Sequence, residues 1–256
     1  MRKLKKNLIL RAYKMASERN LEVWCEDEAG PYQAIPQEGY SWQPQYKPRC
    51  RPHEYVRGGT AKMLTLFHPR TGRLIVKGVT SSTNDILHTW LKKSLSEVVN
   101  VSSFENCSAE ERMYWTCWQE GLKEKITLPD KLPKLRVLLI LDNLKGHKSP
   151  DFVLWLFKNG IMPLYTPLGG SWLNMAESIQ NIIKNRALKG QEPKNPEEII
   201  EWLQDVAEHW NQDPTPFEWG GKRFERRVRS RERRRNLKGS GAFVKSPKNN
   251  RYARNK

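Results

Sequence analysis

The sequence predicts an α/β domain built on a mixed sheet with helices around it. Three observations predict it. Val137-Leu138-Leu139-Ile140-Leu141 is an unalternating apolar run that reads as a central strand covered on both faces. Two strand-like runs, Ala61–Phe67 and Leu74–Thr80, are joined by Pro69-Arg70-Thr71-Gly72, a hairpin pattern. Stretches with helical spacing and start signals lie between and after them. At 256 residues the chain suits one such domain with arms, with enough length to bury a core.

Taken in order, Leu4, Leu8, Arg11 and Met15 fall at helical spacing, so a short basic helix is expected first. Residues 21–28 alternate as a strand. Leu21, Val23, Cys25 and Asp27 share the face expected to pack inside, and Glu22, Trp24 and Glu26 share the other. The stretch 29–60, rich in Pro, Gly and Gln, reads as a long connection. After the hairpin, Ser81, Ser82 or Thr83 caps a helix to about Val99, with Ile86, Leu87, Trp90, Leu91 and Leu95 on one side. Residues 110–125 are helical in pattern, and Val137–Leu141 follows as the central strand. Ser149-Pro150 starts a helix to about Asn159, with Gly160 as its stop. Ile161–Tyr165 is a short strand, and a helix runs from near Trp172 to about Leu188. The last helix opens at Asn195-Pro196-Glu197-Glu198 and ends near Trp210.

Charge is unevenly spread. The formal net charge is +17, yet residues 222–256 hold 15 Lys and Arg against only Glu225 and Glu232. Residues 1–14 add six cations and no acid, which leaves the middle close to neutral. Basic ends fit phosphate-backbone binding; they also fit a solvated tail or a localisation signal. The four cysteines, at 25, 50, 107 and 117, have neither C-x-x-C spacing nor the density of a disulfide scaffold. They read as reduced thiols of a cytoplasmic protein. No apolar run reaches membrane-span length, so no membrane partner is expected. Ten Trp exclude disorder throughout; Trp172, Trp202, Trp210 and Trp219 could serve core or contact, and core is the simpler assignment. Nucleotide-driven chemistry is disfavoured because no G-x-x-x-x-G-K-[ST] loop occurs.

Three carboxylates stand out. Asp142 ends the buried strand, where open α/β sheets bind ligands, although an Asp before Asn143 also starts a turn. Asp27 falls on the inner face of its strand, where a carboxylate is costly unless paired or metal-bound; the following Glu28-Ala29-Gly30-Pro31 offers a turn instead. Glu177 projects away from the apolar set Met175, Ala176, Ile179, Ile182 and Ile183, roughly in line with Lys184, and no base stands three or four residues from it. Two Asp on strands and a Glu on a later helix are what a two-cation phosphoryl-transfer site needs. Asp142 and Glu177 are separated by 34 residues.

The strings Trp24-Cys25-Glu26-Asp27-Glu28, Leu141-Asp142-Asn143 with His147 behind, and Leu173-Asn174-Met175-Ala176-Glu177 resemble the catalytic half of DDE transposases of the Tc/mariner superfamily, in its bacterial insertion-sequence branch. Gly58-Gly59-Thr60-Ala61-Lys62 and Trp219-Gly220-Gly221-Lys222-Arg223 extend the resemblance over about residues 20–230. It implies a ribonuclease H-like mixed five-stranded sheet flanked by helices. Asp27, Asp142 and Glu177 would be both catalytic residues and ligands of two Mg²⁺ or Mn²⁺ ions. The domain order would be a basic N-terminal helix (1–20), the catalytic domain (21–190), a C-terminal helix packed on it (191–221) and a basic tail expected to be flexible (222–256).

The implied reaction is cleavage and joining of DNA phosphodiesters at transposon ends. Arg223, Arg226, Arg227, Arg229 and Lys184 are the candidate DNA contacts, and the chain would pair two ends as a homodimer. Only about 20 residues precede the first strand, whereas this family carries helix-turn-helix domains there. End recognition is then expected from a separate polypeptide, unless the chain is a truncated element that binds without cutting. A nuclease or resolvase on the same fold is the remaining alternative. Met175-Ala176 stands where the superfamily often has Pro-Ile.

Overall fold

In a computed structural model of the chain, the described residues are 2–15, 21–35, 44–47, 50, 57–99, 108–120, 122, 128–129, 131–220, 228 and 232. They fall into two units, Met1–Phe217 and Glu218–Lys256. The first holds every element described below. In the second only residues 218–220, 228 and 232 are described.

The central strand is β4 (Val137–Leu141), whose five apolar residues are all buried. Its neighbours are β1 (Glu22–Gln33) and β5 (Ile161–Tyr165), both parallel to it. Strand β2 (Thr60–Phe67) pairs antiparallel with β1, and β3 (Leu74–Val79) closes the sheet as the hairpin partner of β2. The order β3-β2-β1-β4-β5 gives the mixed five-stranded sheet of a ribonuclease H-like fold.

Two positions correct the sequence reading. Strand β1 does not stop at residue 28. It continues to Gln33, held by pairing from Cys25↔Phe67 to Gln33↔Thr60, with a register shift between Ala29 and Tyr32. Gly30 makes that bulge possible: its φ is 117°, and a Cβ there would stand 3.1 Å from the Ala61 carbonyl oxygen. The remainder of the expected connection is described only at residues 34–35, 44–47, 50 and 57–59. The expected inner and outer faces of β1 also fail as a rule. Trp24 and Glu26 are as deeply buried as Val23 and Cys25, because a strand flanked by two others is covered on both sides.

Helix α1 (Arg2–Met15) buries Leu8, Ile9 and Ala12 and packs beside β5. Helix α2 (Asn84–Val99) buries Leu87, Trp90, Leu91 and Leu95. Helix α3 (Ala109–Gln119) starts with a capping box between Ser108 and Glu111. Helix α4 (Pro150–Lys158) gives way to Gly160, where φ is 73° and a Cβ would stand 2.5 Å from the Lys134 carbonyl oxygen, so no side chain fits.

Helix α5 (Ala176–Leu188) begins later than expected. Ser171–Leu173 form a separate 3₁₀ turn, and Asn174 is extended between the two. Helix α6 (Pro196–Gln212) is capped by the Asn195 side chain, which accepts from the Glu198 N–H at 2.8 Å. It packs on β3, β2 and α5, burying Ile199, Leu203, Ala207 and Trp210. Among the described residues no helix is long and apolar enough to cross a membrane.

Candidate active site

The carboxyl-end halves of β1 and β4 and the start of α5 open onto one cleft of about 510 Å³. Asp27, Asp142 and Glu177 all line it, with Asn174, Ser171 and Lys184. The topology explains the meeting. Parallel β1 and β4 run side by side from Glu22↔Val137 to Cys25↔Ile140, so Asp27 and Asp142 both lie just beyond the same end of that pairing, Asp27 still paired with Thr65 of β2. Glu177 arrives from α5, which docks on β1 and β2 through buried Ile179 and Ile183 and the Gln180–Thr65 contact at 3.3 Å.

Electrostatics shows that these acids feel one another. Partial burial, then Asp142, then Glu177 push the Asp27 carboxyl up to about 7. Asp142 goes the other way. Burial alone would raise it, but the hydrogen bond from His147 (Nδ1 to Oδ1, 2.8 Å) and the Leu144 N–H (2.9 Å) outweigh burial and hold it below the usual value. The Leu144 bond is the Asx-type turn anticipated for Asp142, so one carboxylate starts a turn and faces the cleft at once.

Behind the cleft lies a buried arrangement that periodicity missed. Glu26 and His147 are both fully buried, with His147 Nε2 3.1 Å from Glu26 Oε2. The distance is that of a charge contact, and the angles fall short of a hydrogen bond. Burial pushes Glu26 up to about 8 even with His147 beside it. Burial pulls His147 down, but Glu26 and Asp142 overcome it and raise the imidazole to about 8. Since a proton on either group relaxes the other, what holds is that the pair keeps at least one proton at neutral pH.

Position is fixed by a second set of bonds. The Asn174 side chain donates to the Glu26 carbonyl at 2.6 Å and accepts from the Ala176 N–H at 3.1 Å. It thereby ties the start of α5 to β1, and this is why α5 cannot extend back to Trp172. From the other side Tyr13 of α1 donates to the Leu173 carbonyl at 2.8 Å and accepts from the Met175 N–H at 3.2 Å. Its hydroxyl also touches the Cys25 thiol at 3.1 Å. Asn143 donates to the Thr166 carbonyl, joining the loops after β4 and β5.

Of the residues singled out from sequence, Asp27, Asp142, Glu177 and Lys184 are thus brought to one cleft. Lys184 is exposed on α5, its ammonium 5.9 Å from the Tyr32 ring centre. Arg223, Arg226, Arg227 and Arg229 lie outside the described residues. Glu26 could have been suspected: three consecutive acids, Glu26-Asp27-Glu28, put at least one carboxylate on each face of any strand. Among the described residues no three His, Cys, Asp or Glu stand close enough, as placed, to clasp a metal ion. By chemistry the donor set nevertheless fits a hard divalent cation. All its ligating atoms are carboxylate oxygens, and the mutual repulsion that raises Asp27 is what bound positive charge would relieve.

A family model described as "DDE superfamily endonuclease" matches residues 22–200, well over half of the chain. The chain belongs to this DDE endonuclease family. Solved structures resemble it distantly. A pre-cleavage Mos1 transpososome matches at TM-score 0.39 and 12% identity, over 85% of this chain and 64% of that one. A Mos1 transposase paired-end complex with the left transposon end matches at 0.37 and 12%, over 84% and 62%. The Mos1 transposase catalytic domain with raltegravir and Mg matches at 0.33 and 11%, over 84% of this chain and 96% of that one. The chain therefore spans somewhat under two thirds of the Mos1 chain in the first two complexes. No curated protein matches the sequence. The family assignment rests on the family model, whose span contains Asp27, Asp142 and Glu177.

Proposed function

We propose that this DDE endonuclease cuts and joins DNA phosphodiesters at the cleft between β1, β4 and α5, as the strand-transfer domain of a DNA transposase of the insertion-sequence kind. The observation that carries the reading is the convergence of three carboxylates from three separate elements on one open cleft, inside the matched family span.

Asp27, Asp142 and Glu177 would hold two divalent cations, Mg²⁺ or Mn²⁺. Bound there, such cations supply Lewis acidity: they lower the pKa of a water and neutralise charge on phosphoryl oxygens. The remaining work falls to the chain. His147 and the Leu144 N–H keep Asp142 ionised and aimed, which a ligand carboxylate requires. Asn174 and Tyr13 fix the segment from which Glu177 departs. Lys184, at the cleft rim, offers positive charge to an incoming phosphate backbone. A 3′-hydroxyl end released by hydrolysis would then attack a target phosphodiester at the same carboxylates, its oxygen replacing the target strand's own 3′-oxygen, which leaves as a protonated hydroxyl; no covalent protein–DNA link forms. Arg223, Arg226, Arg227 and Arg229 would add backbone contacts. The working unit would be a cytoplasmic homodimer on DNA.

The second reading, a DNA-binding chain that cuts nothing, draws on the open spacing of the acids. Nicking of supercoiled plasmid at low salt decides between them. Wild type should nick with Mg²⁺ or Mn²⁺ and not with EDTA, and Asp142→Ala should abolish nicking. A wild-type chain that binds plasmid but leaves it intact in either metal defeats the catalytic reading.

A further inference from the structure

One surface beside the cleft carries exposed apolar groups among cations. Helix α1 has no acidic residue, and its solvent face presents Lys3, Lys6 and Lys14. The helix lies against the segment that leaves β5. The Lys5 ammonium stands 5.9 Å from the Tyr165 ring centre, and that of Lys6 stands 5.6 Å from the Trp172 ring centre. Lys148, from the loop after β4, approaches the same Tyr165 ring at 5.4 Å. Three cations from one helix and one loop therefore gather at the end of β5 and on the segment that follows it, whose Ser171 and Asn174 line the cleft.

That segment buries Leu173 and Met175 but leaves two other large side chains in the open. Leu168 is 80% exposed and Trp172 is 47% exposed, against the expectation that Trp172 belongs to the core. Docking a duplex backbone asks only for positive charge. A half-exposed indole and a nearly bare Leu, held between lysines one residue from the cleft wall, match a different demand: a flat apolar platform for a nucleobase, with ammonium groups for the flanking phosphates.

We propose that α1 and the Leu168–Trp172 segment form a binding surface for unpaired DNA next to the scissile phosphate, in which Trp172 stacks on a base, Leu168 packs beside it, and Lys3, Lys6 and Lys148 hold the backbone. The proposal rests on the DNA reading above and assigns it a strand form.

Fluorescence anisotropy of the full chain tests it, with labelled oligo(dT) and a labelled duplex of equal length, in EDTA so that nothing is cut. Trp172→Ala should weaken oligo(dT) binding about tenfold and leave duplex binding little changed, since stacking acts on accessible bases alone. Trp172→Phe should restore most of the loss, and Lys6→Glu should weaken both probes. Leu168→Ala removes a side chain with almost no packing, so it cannot act by unfolding; it should weaken oligo(dT) by a smaller factor. Equal weakening of both probes by Trp172→Ala and Leu168→Ala, or no weakening of either, overturns the platform. In that case plasmid nicking and duplex binding by the wild type remain, and the DNA reading survives. A wild-type chain that binds neither probe overturns both.

Discussion

Two neighbouring carboxylates on β1 meet opposite fates. Glu26 points into the protein, is fully buried, and sits against a fully buried imidazole. Asp27, one residue on, lines the cleft, where the largest charge effects on it come from two more carboxylates. Both are driven to hold a proton more tightly, Glu26 to about 8 and Asp27 to about 7. Burial leads in each case, but the next-largest cause differs in sign. Glu26 is eased by His147, a partner within the fold, whereas Asp27 is strained further by Asp142 and Glu177. The lesson is that the chain sets an imidazole against one acid and gathers further carboxylates around the other, where positive charge from outside would relieve them.

Substitution at the two positions should therefore act on different quantities, and the largest effect belongs to the cleft. Asp27→Asn should reduce metal-dependent nicking on the order of a thousandfold, because a ligand and its charge are lost together. The fold should not suffer: relieved of repulsion, the variant without cations should melt slightly above wild type. Melting below wild type would break the comparison, since the Glu28 N–H bond to Asp27 at 3.0 Å would then outweigh the repulsion.

Next in size is Glu26→Ala, which leaves His147 buried with its Nε2 facing no carboxylate. Breaking a buried pair from one side costs roughly 3 kcal/mol or more. For a chain of this size that lowers the melting temperature by about 6–12 °C. Glu26→Gln, which keeps shape and polarity, should lose less. If Glu26→Ala melts with wild type while nicking collapses, Glu26 belongs to the chemistry and not to the scaffold.

A pH series sharpens the contrast. Glu26, Asp27 and His147 all bind protons more tightly when folded than their ordinary values of 4.5, 3.8 and 6.5. Over roughly pH 5 to 8 the folded state thus holds more protons than the unfolded one, and stability falls as pH rises. Asp142 is shifted down, so its contribution is already complete in that window and is lost only on acidification. Without cations the chain should be less stable to urea at pH 8 than at pH 6. Added Mg²⁺ should close part of that gap, because positive charge replaces protons at Asp27. A flat profile without cations would remove the basis for treating the cleft as charge-strained.

The sequence was legible where one element decides the outcome by itself. The apolar run Val137–Leu141 could only be a strand covered on both sides, and Asn195-Pro196 followed by two acids could only open a helix. It was illegible where a distant residue decides. Glu26 looked like an outward-facing acid because alternation says nothing about what lies above a central strand; here it is His147, more than a hundred residues away. The start of α5 was misplaced because Asn174 spends its side chain on the Glu26 carbonyl, a bond that no local propensity encodes. Gln33 was denied to β1 for the same reason, since its partner Thr60 lies beyond a stretch that reads as irregular.

The smallest effect asks whether the N-terminal helix belongs to the site or merely lies on it. The Tyr13 hydroxyl meets Leu173, Met175 and Cys25, and each of those residues adjoins a residue that lines the cleft or supports it. Tyr13→Phe keeps the ring and removes that hydroxyl, leaving the Leu173 carbonyl without its donor, at a cost of about 1–2 kcal/mol. Cys25 supplies a local reading of the same event. It is fully buried, with its thiol pushed up to about 12, so it should react with thiol reagents only when α1 lifts. With Cys50, Cys107 and Cys117 replaced by Ser, Tyr13→Phe should label faster at Cys25 and nick more slowly, because a helix that lifts more often also frees the segment from which Glu177 departs. Faster labelling with unchanged nicking would separate the helix from the chemistry, and the geometry of Glu177 would then rest on Asn174 and the packing of α5 on the sheet.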